Sequence, residues 1–170
     1  MKSSGIGTRD LRLLEAVEGW IALGSPREAL FELEDVSPTM QSHPQVLDAR
    51  WQVAAAMRDW DAALTSADRM LHQNPEDPTG WIHRSYALRR CRQGGLQQAW
   101  DALLPAHTRF PKISTIPYNM ACYAAQMGRL GEAWDWFNRA LEAAEDIASI
   151  KAMALDDEDL RQIWDRVKAM

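Results

Sequence analysis

Cysteine, phenylalanine and tyrosine are scarce in this sequence: two, three and three in 170 residues. Cys91 and Cys122 have no paired spacing, which argues against a disulfide framework and fits a reducing compartment. No apolar run approaches the ~20 residues that span a bilayer, so a membrane anchor is not expected. Behind the opening MKSSGIGTRD there is no apolar stretch of the kind a signal peptide needs, and the expectation is a cytoplasmic protein. Nor does any segment sustain period-2 alternation, so essentially no sheet is predicted. Positive charge is in deficit, with 19 lysines and arginines against 24 acids and a net charge of −5. That balance speaks against nucleic acid or an anionic membrane surface as the main partner.

Catalytic chemistry is missing too. His43, His72, His83 and His107 show no metal-ligand spacing, and neither Cys-x-x-Cys nor His-Glu-x-x-His occurs. Gly5 and Gly7 follow no strand, and Gly94-Gly95 reads as a hairpin hinge, so neither pair is a phosphate loop. Cys91 has arginines nearby but no positioned base, and reads as a small buried filler. The expectation is a protein without catalytic activity, cofactor or metal.

What the chain does have is ordinary bulk and an unusual rhythm. Hydrophobic residues at 46% and charged residues at 25% suit one soluble folded domain. Tryptophan is abundant, with eight residues. Trp20, Trp51, Trp60, Trp81, Trp100, Trp134 and Trp164 follow helical packing columns, whereas Trp136 sits off its stripe. The clearest stretch is Pro117–Leu141, two amphipathic segments hinged at Gly128. In its second half Leu130, Ala133, Trp134, Phe137, Ala140 and Leu141 recur at helical spacing. A hairpin this small needs neighbours of its own kind to bury its apolar face.

The rest of the sequence supplies them. Ala29, Ala63, Ala99 and Ala133 follow at steps of 34, 36 and 34. Leu33, Ala67, Leu103 and Phe137 keep the same steps, as do the hinge positions Gly24, Arg58, Gly94 and Gly128. The two extra residues of the third unit fall between Leu88 and Gly94, lengthening its first helix or its turn. Residues 1–9 read as a flexible start, 10–43, 44–77, 78–113 and 114–147 as four units, and 148–170 as a capping region. In that tail Ile147, Ile150, Met153 and Leu155 form one stripe, and Leu160, Ile163, Trp164 and Val167 a second. Asp156-Asp157 offer an N-cap between them. The acidic run 156–159 reads as a helix start, with a partner patch as the other reading.

With this period and these columns the chain resembles the tetratricopeptide repeat, best in RDWDAALTSADRMLHQNPED (58–77) and NMACYAAQMGRLGEAWDWFNRALE (119–142). Trp60 stands where the family usually has tyrosine, and Pro75 and Pro111 are its terminal prolines. Units one and four lack that proline, having Gln41 and Glu145, and Pro26 replaces the usual aromatic. The resemblance implies an all-α fold: a right-handed α-α superhelix, or solenoid, of about four helix hairpins plus a C-terminal capping helix. It also implies a concave groove lined by the first helix of each unit. Transferred to this sequence, that geometry gives Glu18, Ile21 and Ala22; Gln45, Asp48, Gln52 and Ala55; Thr79, Ile82, His83, Tyr86, Arg89 and Arg90; and Tyr118, Asn119, Cys122 and Gln126. Asp48, Gln52, His83, Tyr86, Arg89, Arg90, Tyr118, Asn119 and Gln126 are the candidate peptide-binding residues.

Such a groove would run from acidic to basic, and His83, Arg89 and Arg90 would hold carboxylates of a protein or peptide partner. The other reading of Arg84, Arg89, Arg90 and Arg92 is a solvated helix face or pairing with the acidic tail. Family members that clamp the C-terminal carboxylate of heat-shock chaperones use Lys, Asn and Arg on successive first helices. Here Leu14, Glu18, Ala49, Thr79 and His83 stand at those places, and only Asn119 resembles a clamp residue. The function expected is therefore a non-catalytic protein-interaction module, monomeric or weakly self-associating. A secretion-type chaperone or a self-associating scaffold is the alternative.

Overall fold

The computed structural model describes residues 5–170. Among them every regular element is helical: α1 (Thr8–Ala22), α2 (Pro26–Glu34), α3 (Pro44–Ala56), α4 (Trp60–Gln73), α5 (Pro78–Leu88), α6 (Leu96–Arg109), α7 (Thr115–Gln126), α8 (Leu130–Ala143), α9 (Ile147–Asp156) and α10 (Trp164–Lys168). Two 3₁₀ segments, Pro38–Met40 and Glu158–Ile163, interrupt the series. Of the flexible start expected for residues 1–9, residues 1–4 lie outside the described residues, and Thr8 and Arg9 already belong to α1.

Local chemistry sets the helix boundaries. Pro26, Pro44 and Pro78 open α2, α3 and α5, where a missing N–H costs nothing. Asp59, Asp77 and Asp146 accept from the backbone N–H groups of Ala62, Thr79 and Ser149, capping α4, α5 and α9. Three of the four predicted hinges turn through the left-handed region, Gly24 at φ +72°, Arg58 at +59° and Gly128 at +76°. Each sits in the short turn between the two helices of a hairpin. The third hinge is different. Helix α5 stops at Leu88 and α6 starts at Leu96, so the extra residues lengthen the turn and not the helix. Arg89 and Arg90, expected on the polar face of a first helix, therefore leave α5 with this longer loop.

The chain divides within that loop into two compact units, 1–92 and 93–170. In the first, α1 packs on α2, both pack on α3, and α4 packs between α3 and α5. Leu14, Val17, Ala29, Leu33, Val36, Val46, Ala49 and Val53 form its main core. Each large apolar side chain buried this way contributes about 1.5–3 kcal/mol. Asp10, almost fully buried, accepts from both the backbone N–H and the hydroxyl of Ser37 at 3.0 Å, tying the start of α1 to the head of the Pro38–Met40 segment. Between α4 and α5 the approach is close: a Cβ on Gly80 would stand 3.0 Å from the backbone nitrogen of Leu71.

In the second unit α7 packs against α6 and α8. The buried face of α8 is Ala133, Trp136, Phe137, Ala140 and Leu141. Trp136, off the predicted stripe, is thus a core residue, edge-on to Trp100 at 5.8 Å and to His107 at 4.8 Å. Trp134 is only half-buried, with the Arg166 guanidinium over its ring, and Leu130 is exposed. The tail also departs from expectation. Ile147 and Met153 of the first predicted stripe are exposed, and α9 buries only Ala154. The second stripe is a 3₁₀ segment followed by the short α10, and it buries Leu160, Ile163 and Val167. That 3₁₀ segment lies on α7.

Candidate functional site

In the first unit the polar residues of α3 and α5 repeat at helical spacing and so line one face of each helix. On α3 these are Gln45, Asp48 and Gln52, with Ala55 continuing the face; on α5 they are Thr79, His83 and Tyr86. Together with α1 they border a cleft of about 500 Å³, lined by Leu11, Leu14, Glu15, Glu18, Pro44, Gln45, Asp48, Ala49, Gln52, Met70, Asp77 and Thr79. Leu11, Leu14, Ala49 and Met70 give it apolar surface, and four carboxylates give it negative charge. Among the described residues no lysine or arginine lines it.

Further along, the predicted site residues are bound to one another. Asp48 Oδ1 lies 2.9 Å from His83 Nε2, and Gln52 Nε2 donates to Asp48 Oδ2 at 2.7 Å. The His83 bond holds the Asp48 carboxyl below its ordinary range, with partial burial opposing and the charge of His83 and the Gln52 bond adding to the effect. The His83 ring is stacked on Trp51, centroids 3.7 Å apart, and Trp51 Nε1 donates to the His83 carbonyl. Trp51 therefore orients a site residue besides packing between helices, a role its sequence column did not reveal. Tyr86 lies edge-on to Trp51, and the Arg90 guanidinium sits 3.7 Å from the Tyr86 ring centroid. With Ala55, Ala56, Arg58 and Trp60 these two residues line a second cleft of about 470 Å³, at the C-terminal ends of α3 and α5. Arg90 also donates to the Tyr86 carbonyl, so part of its function is to finish the helix. Arg84 pairs with Asp68 at 2.7 Å rather than with the acidic tail. Arg89 is half-buried at the end of α5.

The second unit treats its candidates differently. Tyr118 is only 5% exposed, and its hydroxyl donates to Asp157 at 3.0 Å. Cys122 Sγ lies 3.5 Å from the same carboxylate, Gln126 Nε2 donates to the Asp159 carbonyl, and Gln162 Nε2 donates to the Ala125 carbonyl. Burial, with the acidic groups of Cys122, Asp157 and Asp159 around it, pushes the Tyr118 hydroxyl far above its usual range. The chain's own acidic segment thus lies over the face of α7 that the repeat pattern assigns to a groove. Asn119 is half-buried and Gln126 is exposed. Cys122, Asp157 and Asp159 each offer a ligand atom within 4.8 Å of the others, the one such group among the described residues. Asp157 is already engaged there by Tyr118 and by the backbone N–H of Asp159.

Sequence reasoning missed Leu11, Glu15, Met70 and Asp77 as lining residues. The signal was present on α1, where Leu11, Leu14, Glu15 and Glu18 share one face at steps of three, one and three. Among the described residues no helix is long and apolar enough to cross a membrane.

No protein-family model matches the sequence, and no curated protein matches it. Solved structures do. A thermophilic tetratricopeptide-repeat protein of Thermus thermophilus superposes with a TM-score of 0.70 at 19% identity, covering 95% of this chain and 100% of the other. MamA from Desulfovibrio magneticus superposes with a TM-score of 0.68 at 17% identity, covering 97% and 96%. The fold is that of the tetratricopeptide-repeat proteins, an all-α helical repeat.

Proposed function

We propose that this chain, built on the tetratricopeptide-repeat fold, is a non-catalytic protein-interaction module that holds an extended peptide or protein segment along α1, α3 and α5. One observation carries the reading: the face of α1, α3 and α5 is an open, partly apolar cleft, whereas the equivalent face of α7 is filled by residues 157–162. An open cleft with apolar patches and convergent polar groups suits a ligand segment. Among the predicted residues, Asp48 and Gln52 line this cleft, His83 holds Asp48 from behind it, and Tyr86 lines the second cleft. Tyr118 and Gln126 belong to the closure of the second unit.

Affinity capture from the native cell tests this. Gln45→Trp, which fills the cleft at an exposed position, should lose the captured partner. Asp61→Lys on the outer face of α4 should retain it. Retention of every partner by a folded Gln45→Trp protein would overturn the assignment. A second reading, a self-associating scaffold, is favoured by Leu23 and Phe31, which are 74% and 70% exposed. Light scattering over a range of concentrations separates the two.

A further inference from the structure

We infer that the segment held in the α1–α3–α5 cleft is cationic and amphipathic, presenting arginine or lysine beside apolar side chains. The inference rests on the groove reading above and reverses the sign of partner charge expected from His83, Arg89 and Arg90.

The charges of the cleft are unequal in their availability. Asp77 is used as the N-cap of α5, accepting from the Thr79 N–H at 2.9 Å. Asp48 is used by His83 and Gln52. Glu15 and Glu18 are not used in this way: both are exposed on α1, and among the described residues neither makes an ion pair. Three positions apart on one helical face, they repel each other, and a guanidinium or ammonium between them relieves that repulsion. Leu11 and Leu14 stand on the same face of α1, with Ala49 and Met70 across the cleft, so a neighbouring aliphatic side chain has somewhere to go. Among the described residues an acidic segment would meet four carboxylates and no lysine or arginine in this cleft. Arg58 and Arg90 cannot rescue it, because they line the separate cleft at the far ends of α3 and α5. His83 is held against Asp48 and Trp51, so its ring is not presented to the cleft as a free cation.

The test uses the full chain and two fluorescein-labelled synthetic octapeptides, alternating Leu-Arg and alternating Leu-Glu, read by fluorescence anisotropy at low and moderate salt. The Leu-Arg peptide should bind and weaken as salt rises, and the Leu-Glu peptide should not bind. Glu15→Lys with Glu18→Lys should weaken Leu-Arg binding by at least about tenfold, as loss of two opposed charges at a partly apolar site implies. Glu15→Gln with Glu18→Gln should give a smaller loss in the same direction. Glu142→Lys with Glu145→Lys, an equal change of net charge on the second unit, should alter it less than about twofold. Equal losses from the two lysine pairs would show that net charge alone attracts the peptide, and would overturn the inference. So would binding of the Leu-Glu peptide. If neither peptide binds while Gln45→Trp still releases the native partner, the cationic class is wrong and the groove reading stands. If Gln45→Trp keeps its partner, the groove reading itself fails.

Discussion

At the scale of single residues, burial has decided what each group does, and sequence columns anticipate burial only in part. His107 shows the consequence. Its Nδ1 is buried without a hydrogen-bond partner, its ring is edge-on to Trp136, and Arg139 lies over the same indole. Desolvation, and then the charge of Arg139, hold its pKa below the ordinary value. The unfolded chain therefore binds more protons than the folded one once pH falls below about 6.5, the ordinary histidine value. Stability contributed by the neutral ring is present above that pH and is lost as pH falls towards the lower folded value. Thermal melting from pH 7.5 to 5 should show this loss in the native protein, and His107→Phe should flatten it. An unchanged slope in that variant would contradict the assignment. Tyr118 and Trp136 mark the limit of legibility at this scale. Tyr118 carries a hydroxyl and falls on a column read as groove, but its partner, Asp157, lies 39 residues away on a segment whose path local spacing does not encode. Trp136 sits one position from the buried Phe137, and its place in the core depends on Trp100 and His107 arriving from α6.

At the scale of elements the hairpins were largely legible, because period, proline and aspartate caps, and hinge residues agree. The three tight hinges offer a stability test. Arg58 occupies the conformation for which Gly24 and Gly128 are suited. A non-glycine residue there costs about 1–2 kcal/mol, and glycine gives back roughly 0.5–1 through the freedom of the unfolded chain. Arg58→Gly should thus raise stability by up to about 1 kcal/mol, and Gly128→Ala should lower it by about 1 kcal/mol, both read by urea unfolding. A destabilised Arg58→Gly would show that its side chain does more at the second cleft than line it. What could not be read was the third hinge and the tail. Two extra residues were visible in the spacing between Leu88 and Gly94. Whether they extend a helix or a turn depends on how α5 ends, and the Arg90 contact with the Tyr86 carbonyl joins the caps there. In the tail, Asp157 caps a 3₁₀ segment and not a full helix, which lets Leu160 and Ile163 reach the core of the second unit. The apolar spacing is the same for either helix type over so short a run, so the pattern alone could not separate them.

At the scale of the whole molecule the repeat arithmetic led to the fold and to the helices that border the cleft. It could not show that this face is open in the first unit and covered in the second, since that depends on where residues 157–162 lie. The cleft is open on α1, α3 and α5 and α7 is covered, so the proposed recognition falls in the first unit, with the acidic lining as the ground for a cationic partner. Hydrogen exchange of the full chain, alone and with its captured partner, is the most direct measurement of that claim. New protection should fall on residues 11–18, 45–52 and 77–86 and leave 115–126 unchanged, because α7 is already covered. Protection confined to α2 and to residues 60–68 of α4, or appearing first on α7, would contradict it.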